Sequence, residues 1–187
     1  MQGRTNWYRL AVFFAAVLLA AGVAANPGSP DAVIEGAVTE LTEKLSGRQE
    51  ELAEDRDALY AMINDILLPR FDRKLAAQLV LAKHWRTAND EQRERFIMAL
   101  YRSLLRTYAS NILEYEGDAL EVLPYEGDLS EGKAIVETRV TLETGVVTPV
   151  NYRMRLSGED WKAYDVIIEG ISAIAASSAA LSRTAAG

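Results

Sequence analysis

The sequence predicts an α+β fold, with N-terminal helices packed on a curved, mostly antiparallel four-stranded sheet. Apolar residues recur every three or four positions up to about residue 115 and every second position after Gly117. The links between the alternating segments are short and polar, which favours antiparallel neighbours. Helices come first and strands afterwards, the order of an α+β domain and not of alternating βαβ units.

Residues 1–25 have the three parts of a secretory signal: Arg4 and Arg9 in front, an apolar run over 10–21, and the small residues Val23 and Ala25 before an expected cut at Asn26. The apolar core is short of the roughly 20 residues that span a bilayer. No later segment is long enough to cross one, so the exported product is expected to be soluble outside the cytoplasm, as one domain over 26–187. The chain has no cysteine, which excludes a disulfide scaffold and a lipid-modified cysteine terminus and avoids thiol oxidation outside the cytoplasm.

The first helix is expected to be capped by Ser29, with Pro30 at its first position and Val33, Ala37, Leu41 and Leu45 on one face until Gly47 stops it. A second starts among acids at 54–57, presents Leu59, Ile63, Ile66 and Leu67, and ends at Pro69. A shorter helix is expected over 72–83. Thr87 or Asn89 then caps the longest, about 89–115, where Phe96, Leu100, Leu104, Tyr108 and Ile112 recur every four positions beside Ile97, Tyr101 and Leu105.

Four strands follow from the alternation of Leu120 and Val122; of Val136, Val140 and Leu142; of Val150, Tyr152, Met154 and Leu156; and of Tyr164, Val166 and Ile168. Tyr-Glu-Gly-Asp occurs at 115–118 and again at 125–128, bracketing one strand, and reads as two similar turns. At the far end, 173–187 is rich in alanine and serine. A helix near Ile171 is expected there, docked weakly through Ile171, Ile174 and Leu181.

With 49% apolar and 25% charged residues the chain can bury enough surface to offset its ordering entropy, which excludes disorder. Removing residues 1–25 takes two of the 20 bases and none of the 27 acids, leaving 18 against 27, a net charge of −9. Such a balance repels phosphate backbones and argues against a nucleic-acid partner.

Catalytic chemistry finds no support. A Ser-His-acid site would need the single histidine, His84, and Gly170-Ile171-Ser172-Ala173-Ile174 lacks the second glycine of a nucleophile elbow. One histidine and no cysteine leave little to anchor zinc. Asp55 with Asp57, and Glu114 with Glu116, read as solvated helix ends, with no apolar pocket to raise a carboxyl pKa. No phosphate-cradling loop or dinucleotide fingerprint occurs. The protein is therefore expected not to be an enzyme and to need no metal or cofactor. The large side chains Trp85, Phe96, Tyr108, Tyr152, Met154 and Tyr164 suit either a solid core between long helix and sheet or the lining of a cavity, and composition does not separate the two.

The run Ile66-Leu67-Leu68-Pro69-Arg70-Phe71-Asp72, then Leu79-Val80-Leu81-Ala82-Lys83-His84-Trp85-Arg86, then Gln92-Arg93 with Phe96 and Tyr108, and finally residues 161–172 (WKAYDVIIEGIS), resembles the MlaC or toluene-tolerance family. The resemblance covers most of 31–174. It implies a cystatin/NTF2-like fold enclosing an apolar cavity, and a soluble periplasmic carrier that moves a phospholipid between outer and inner membranes to maintain outer-membrane lipid asymmetry. The partners it implies are an outer-membrane lipoprotein-porin complex and an inner-membrane ABC transporter complex with a lipid-binding ring. The cargo would be phospholipid or another amphipathic lipid such as a hopanoid. A non-lipid adaptor module with a solid core is the contrasting expectation.

Combined with the strand faces, the resemblance marks Leu68, Phe71, Leu75, Leu79, Trp85, Phe96, Leu100, Leu104, Tyr108, Val136, Val140, Val150, Tyr152, Met154, Tyr164, Val166 and Ile168 as candidate lipid contacts. Val136, Val140, Val150, Tyr152 and Met154 are expected to face the long helix with Phe96, Leu100, Leu104 and Tyr108. After Ile174, many members continue with an Asn-Tyr-Arg-like stretch and a further helix, where this chain has small residues, so one mouth of the cavity is expected to be more open.

Overall fold

Apolar rows set at helical spacing bury only if a second layer covers them, and the computed structural model, which describes residues 28–113, 119–141 and 144–185, shows two such coverings. Helices α1 (Pro30–Leu45), α2 (Gln49–Glu54), α3 (Arg56–Leu67), α4 (Arg73–Leu81) and α5 (Asp90–Leu113) precede strands β1 (Leu120–Val122), β2 (Lys133–Thr141), β3 (Val147–Ser157), β4 (Asp160–Ile168) and β5 (Ile171–Ser172), and α6 (Ala173–Ala185) closes the order. The signal segment, Leu142 and the turn at 115–118 lie outside the described residues. None of the described helices is long and apolar enough to cross a membrane.

The helix starts obey local chemistry. Asp55 caps α3, its Oδ1 accepting from the amides of Asp57 and Ala58. Asn89 and Gln92 form a reciprocal capping box at α5: each side-chain oxygen accepts from the other's backbone N–H at 2.9 Å. Asp72 caps α4 through the Leu75 amide. Ser29 departs from expectation. It stands at the N-cap of α1 without a capping bond from its side chain. The expected helix over 72–83 ends at Leu81 and passes into a 3-10 turn, Ala82–Arg86, and α2 is an element the acidic stretch around it concealed.

The sheet is antiparallel throughout, in the order β1-β2-β3-β4-β5. It has five strands and not the four expected. The last is only two residues long, below the length at which alternation can be recognised. Two tight turns make the meander possible: Gly158 with positive φ opens the two-residue β3–β4 hairpin, and Glu169-Gly170, both at positive φ, turn β4 back into β5. A β-bulge between Arg153 and Met154 leaves Tyr164 unpaired. It shifts the parity of β4, so that Trp161 and Ala163 share a face with Val166 and Ile168.

Two separate cores result. Leu45, Leu52, Leu59, Met62, Ile63, Ile66 and Ala109 make a helical core among α1, α2, α3 and α5. Ile34 of α1 lies on the sheet against Ala134, Val136, Met154, Trp161 and Ala163.

Candidate functional site

On α5 the two adjoining apolar rows have different fates. Ile97, Tyr101 and Ala109 are buried, and Leu105 and Ile112 pack on the helical core. Tyr101 donates its hydroxyl to Asn64 Oδ1 at 2.7 Å, tying α5 to α3. Burial pushes that phenol's pKa up, against a smaller lowering by Arg73, whose guanidinium lies 5.8 Å from the ring centre. Phe96, Leu100, Leu104 and Tyr108 are only half-buried and join neither core. Their row spans twelve residues, about 18 Å at 1.5 Å per residue.

The sheet repeats this division. Leu120 with Val140, Thr138 with Val150, Val150 with Ile168 and Tyr152 with Val166 are register partners, so Val136, Val140, Val150, Tyr152, Met154, Val166 and Ile168 share one face. Alternation foresaw the grouping within each strand except at Tyr164, which it set beside Val166 and Ile168 and which the bulge takes out of register. At one end α1 covers the face, and Val136 and Met154, 1% and 0% exposed, are solid core under Ile34. Their neighbour is thus α1 and not the long helix that the sequence suggested, because α1 packs directly on β1, β2 and β4 while α5 packs on α2, α3 and α4. Tyr152 borders that core. Beyond it Val140, Val150, Val166 and Ile168 are half-buried and belong to neither core.

The remaining candidates scatter. Leu68 is half-buried in the 3-10 turn Leu68–Arg70. Phe71 packs on the α1–sheet core, and its backbone bridges in parallel to Ala163. Leu75 is half-buried and Leu79 is 42% exposed on α4. Tyr164 is the half-buried bulge residue. Trp85 is held at the α4–α5 corner by Arg93, whose guanidinium sits 5.2 Å from the ring centre and whose Nε donates to the Trp85 carbonyl at 3.1 Å.

Two hollows accompany these surfaces. One of about 540 Å³ runs between α1, the end of α3 and the β3–β4 turn, over Val33, Pro69 and Trp161, and none of the candidates lines it. The other, about 400 Å³, is lined by Leu81, His84, Thr87, Ala88, Gln92 and Phe96. Only Phe96 was a candidate.

Charge is kept to the opposite face of the sheet. Arg153 of β3 donates to Asp165 Oδ2 at 3.1 Å; the Ser172 hydroxyl donates to the same oxygen at 2.7 Å, and the Ile174 amide donates to Oδ1 at 3.1 Å. Asp165, 2% exposed, thereby anchors the start of α6, an anchor that sequence reading missed. A charged residue inside an otherwise apolar alternating strand was the available signal; its place opposite Arg153 is set only by the pairing of β3 and β4. Among the described residues no group of three histidine or acidic side chains could hold a metal ion.

Residues 35–185 match the family model described as MlaC protein. The toluene tolerance protein ttg2D of Pseudomonas putida is 36% identical over 146 residues, 77% of this chain and 67% of that protein. The intermembrane phospholipid transport system binding protein MlaC of Haemophilus influenzae is 22% identical over 171 residues, 89% of this chain and 79% of that one. The structure of a phospholipid-binding protein from Ralstonia solanacearum, in complex with a phospholipid, superposes with a TM-score of 0.76 at 20% identity, covering 83% of this chain and 86% of that chain. At that identity the likeness is one of fold.

Proposed function

The chain belongs to the MlaC protein family, and from that premise we propose that it is a non-enzymatic periplasmic phospholipid carrier, exported by its N-terminal segment and cut near Ala25. One observation supports this reading above the others. The Phe96-Leu100-Leu104-Tyr108 row and the Val140, Val150, Val166 and Ile168 patch are apolar, half-exposed and outside both cores. A solid-core adaptor would have closed such surfaces, whereas a carrier keeps them for its cargo.

The energetics make such a carrier necessary. At about 0.8 kcal/mol per buried methylene, two acyl chains of roughly thirty methylenes resist water by on the order of 20 to 25 kcal/mol. An apolar wall restores most of this, so transfer is nearly balanced and is governed by access to each membrane. The acidic surface disfavours adhesion to anionic membranes by charge alone. Reception therefore falls to partners, an outer-membrane lipoprotein-porin complex on one side and an inner-membrane ABC transporter complex with a lipid-binding ring on the other, in the service of outer-membrane lipid asymmetry.

Native purification followed by lipid extraction and mass spectrometry tests the reading. About one phospholipid per chain is expected. Recovery of a hopanoid would keep the carrier and change its cargo. A lipid-free protein that takes up no lipid from vesicles would favour the adaptor.

A further inference from the structure

We propose that the layer formed by α4, α5 and α6 is a basic face that orients the protein against the surface of an anionic bilayer. The contact is with the membrane as a surface and is separate from any carried lipid, so it stands independently of the carrier reading.

Charge is unevenly distributed along the chain. Residues 73–89, 95–113 and 170–187 hold eight of the 20 bases and none of the 27 acids, which leaves 12 bases against 27 acids elsewhere. The helices of these three stretches are neighbours in space, because α4 packs on both α5 and α6. The acids of α5, Asp90, Glu91 and Glu94, are confined to its start, where Asp90 pairs with Arg93 at 3.0 Å and Glu91 lies 3.9 Å from Arg95. Four other acids gather around the hollow between α1, α3 and the β3–β4 turn, which Glu40, Asp65, Glu159 and Asp160 line.

The cations of the layer are displayed together. Arg95, Arg102 and Arg106 of α5 are exposed, and separations of seven and eleven residues bring them to one side of the helix over about 16 Å. Met98, 37% exposed, stands one turn from Arg95 and from Arg102. Arg73 of α4 joins this side, its guanidinium donating to Met98 Sδ at 3.5 Å. Lys74 of α4 and Arg183 of α6 are exposed as well. Among the described residues none of Arg73, Lys74, Arg102, Arg106 and Arg183 forms an ion pair.

Two large apolar side chains, Met98 and the 42% exposed Leu79 of α4, are displayed by the same helices. Cations for headgroup phosphates, with apolar tips for the first methylenes beneath them, are the composition of an interfacial surface. Their spread over three helices matches a broad anionic plane better than a single acidic side chain. Charges more than roughly 10 Å away are screened at about 0.1 M salt. A bilayer therefore responds to the face it meets and not to the net charge: the acidic remainder is held off, and the basic layer turns inward. The contact is weak and orienting, and delivery still falls to the partners.

Co-flotation of the purified protein with vesicles tests this. Binding to equal phosphatidylglycerol and phosphatidylcholine should exceed binding to phosphatidylcholine alone at least threefold at about 50 mM salt, and the excess should vanish at about 500 mM. Arg102→Glu with Arg106→Glu should lower binding to the anionic vesicles at least fivefold. Lys133→Glu with Arg139→Glu, the same change of net charge on β2, should lower it less than twofold. Met98→Ser should lower it at least twofold. Equal binding to both vesicles by the native protein, or equal losses in the two charge-reversed variants, would overturn the proposal. Soluble polyglutamate that displaces the native protein from the vesicles, together with unchanged binding of Met98→Ser, would make this a site for an acidic protein and overturn the membrane assignment. Lipid uptake is measured on the same samples; binding without uptake would sink the carrier reading and leave this one standing.

Discussion

Arg155 of β3 donates from Nε to Asp72 Oδ2 at 2.6 Å, while Asp72 Oδ1 accepts from the Leu75 amide at 2.9 Å. One carboxylate therefore serves as the N-cap of α4 and as the counter-ion that pins the helix to the sheet. Asp72 is 8% exposed, and its own amide donates to the Ala163 carbonyl at 2.7 Å. Asp72→Ala removes a cap, normally about 1 kcal/mol, and strands an arginine that is still partly in water, so a total loss of about 2 to 3 kcal/mol is expected. Urea unfolding of the variant checks this. A loss below about 0.5 kcal/mol would mean that the staple carries no stability.

The same logic applied at Asp165 concerns α6. Without that carboxylate, Arg153, Ser172 and the Ile174 amide all lose an acceptor, and the remaining helix is alanine and serine with few large anchors. In Asp165→Ala, amide exchange over 175–185 should accelerate at least tenfold relative to α5. In the native protein that segment should already exchange faster than 96–108. Equal protection of the two helices would contradict the weak docking expected of this tail.

The two halves of the sheet face should answer differently to tryptophan. Val136 is fully buried, and Val136→Trp is expected to cost upwards of about 1 to 3 kcal/mol through overpacking. Val140→Trp and Val150→Trp enter half-open space, so they should fold with changes below about 1 kcal/mol and lower bound phospholipid at least fivefold. Thermal unfolding together with lipid quantification separates these outcomes. Full loading of a folded Val140→Trp, Val150→Trp double variant would remove these positions from the cargo wall.

Asp31 supplies a pH dependence. Burial raises its pKa, but hydrogen bonding to Ser29, to the Tyr125 amide (3.1 Å from Oδ2) and to the Asp31 and Ala32 amides outweighs this and holds the carboxyl below its ordinary 3.8. A folded pKa below the unfolded one contributes stability that is present above the unfolded value and lost as pH falls through the folded one. The advantage of the native protein over Asp31→Asn, at most about 1 kcal/mol for a partly exposed group, should be complete at pH 6 and shrink below pH 4. A difference that grows on acidification would reverse the assignment.

Much of this is legible in the sequence, for local reasons. The rows Leu59-Ile63-Ile66 and Phe96-Leu100-Leu104-Tyr108 have helical spacing, Asn89 is one of the two candidate caps of the long helix, and alternation sets Val150 with Tyr152 and Val166 with Ile168 on one face of their own strands. Each depends on neighbours a few residues apart, so the chain determined it by itself. The change of period near Gly117 likewise determined the α+β order.

What only the tertiary structure decided is which layer covers which face. Nothing local says that Ile34, a hundred residues upstream, closes Val136 and Met154 into solid core while Val140 and Val150, on the same face, stay half-open. The Asp72–Arg155 staple joins residues 83 apart, and the bulge at Tyr164 appears only once β3 and β4 are paired. Long-range packing is a competition among several apolar faces of similar composition, and loop geometry and volume choose the winner. Sequence periodicity therefore determined the faces, and folding distributed them between core and candidate cargo wall.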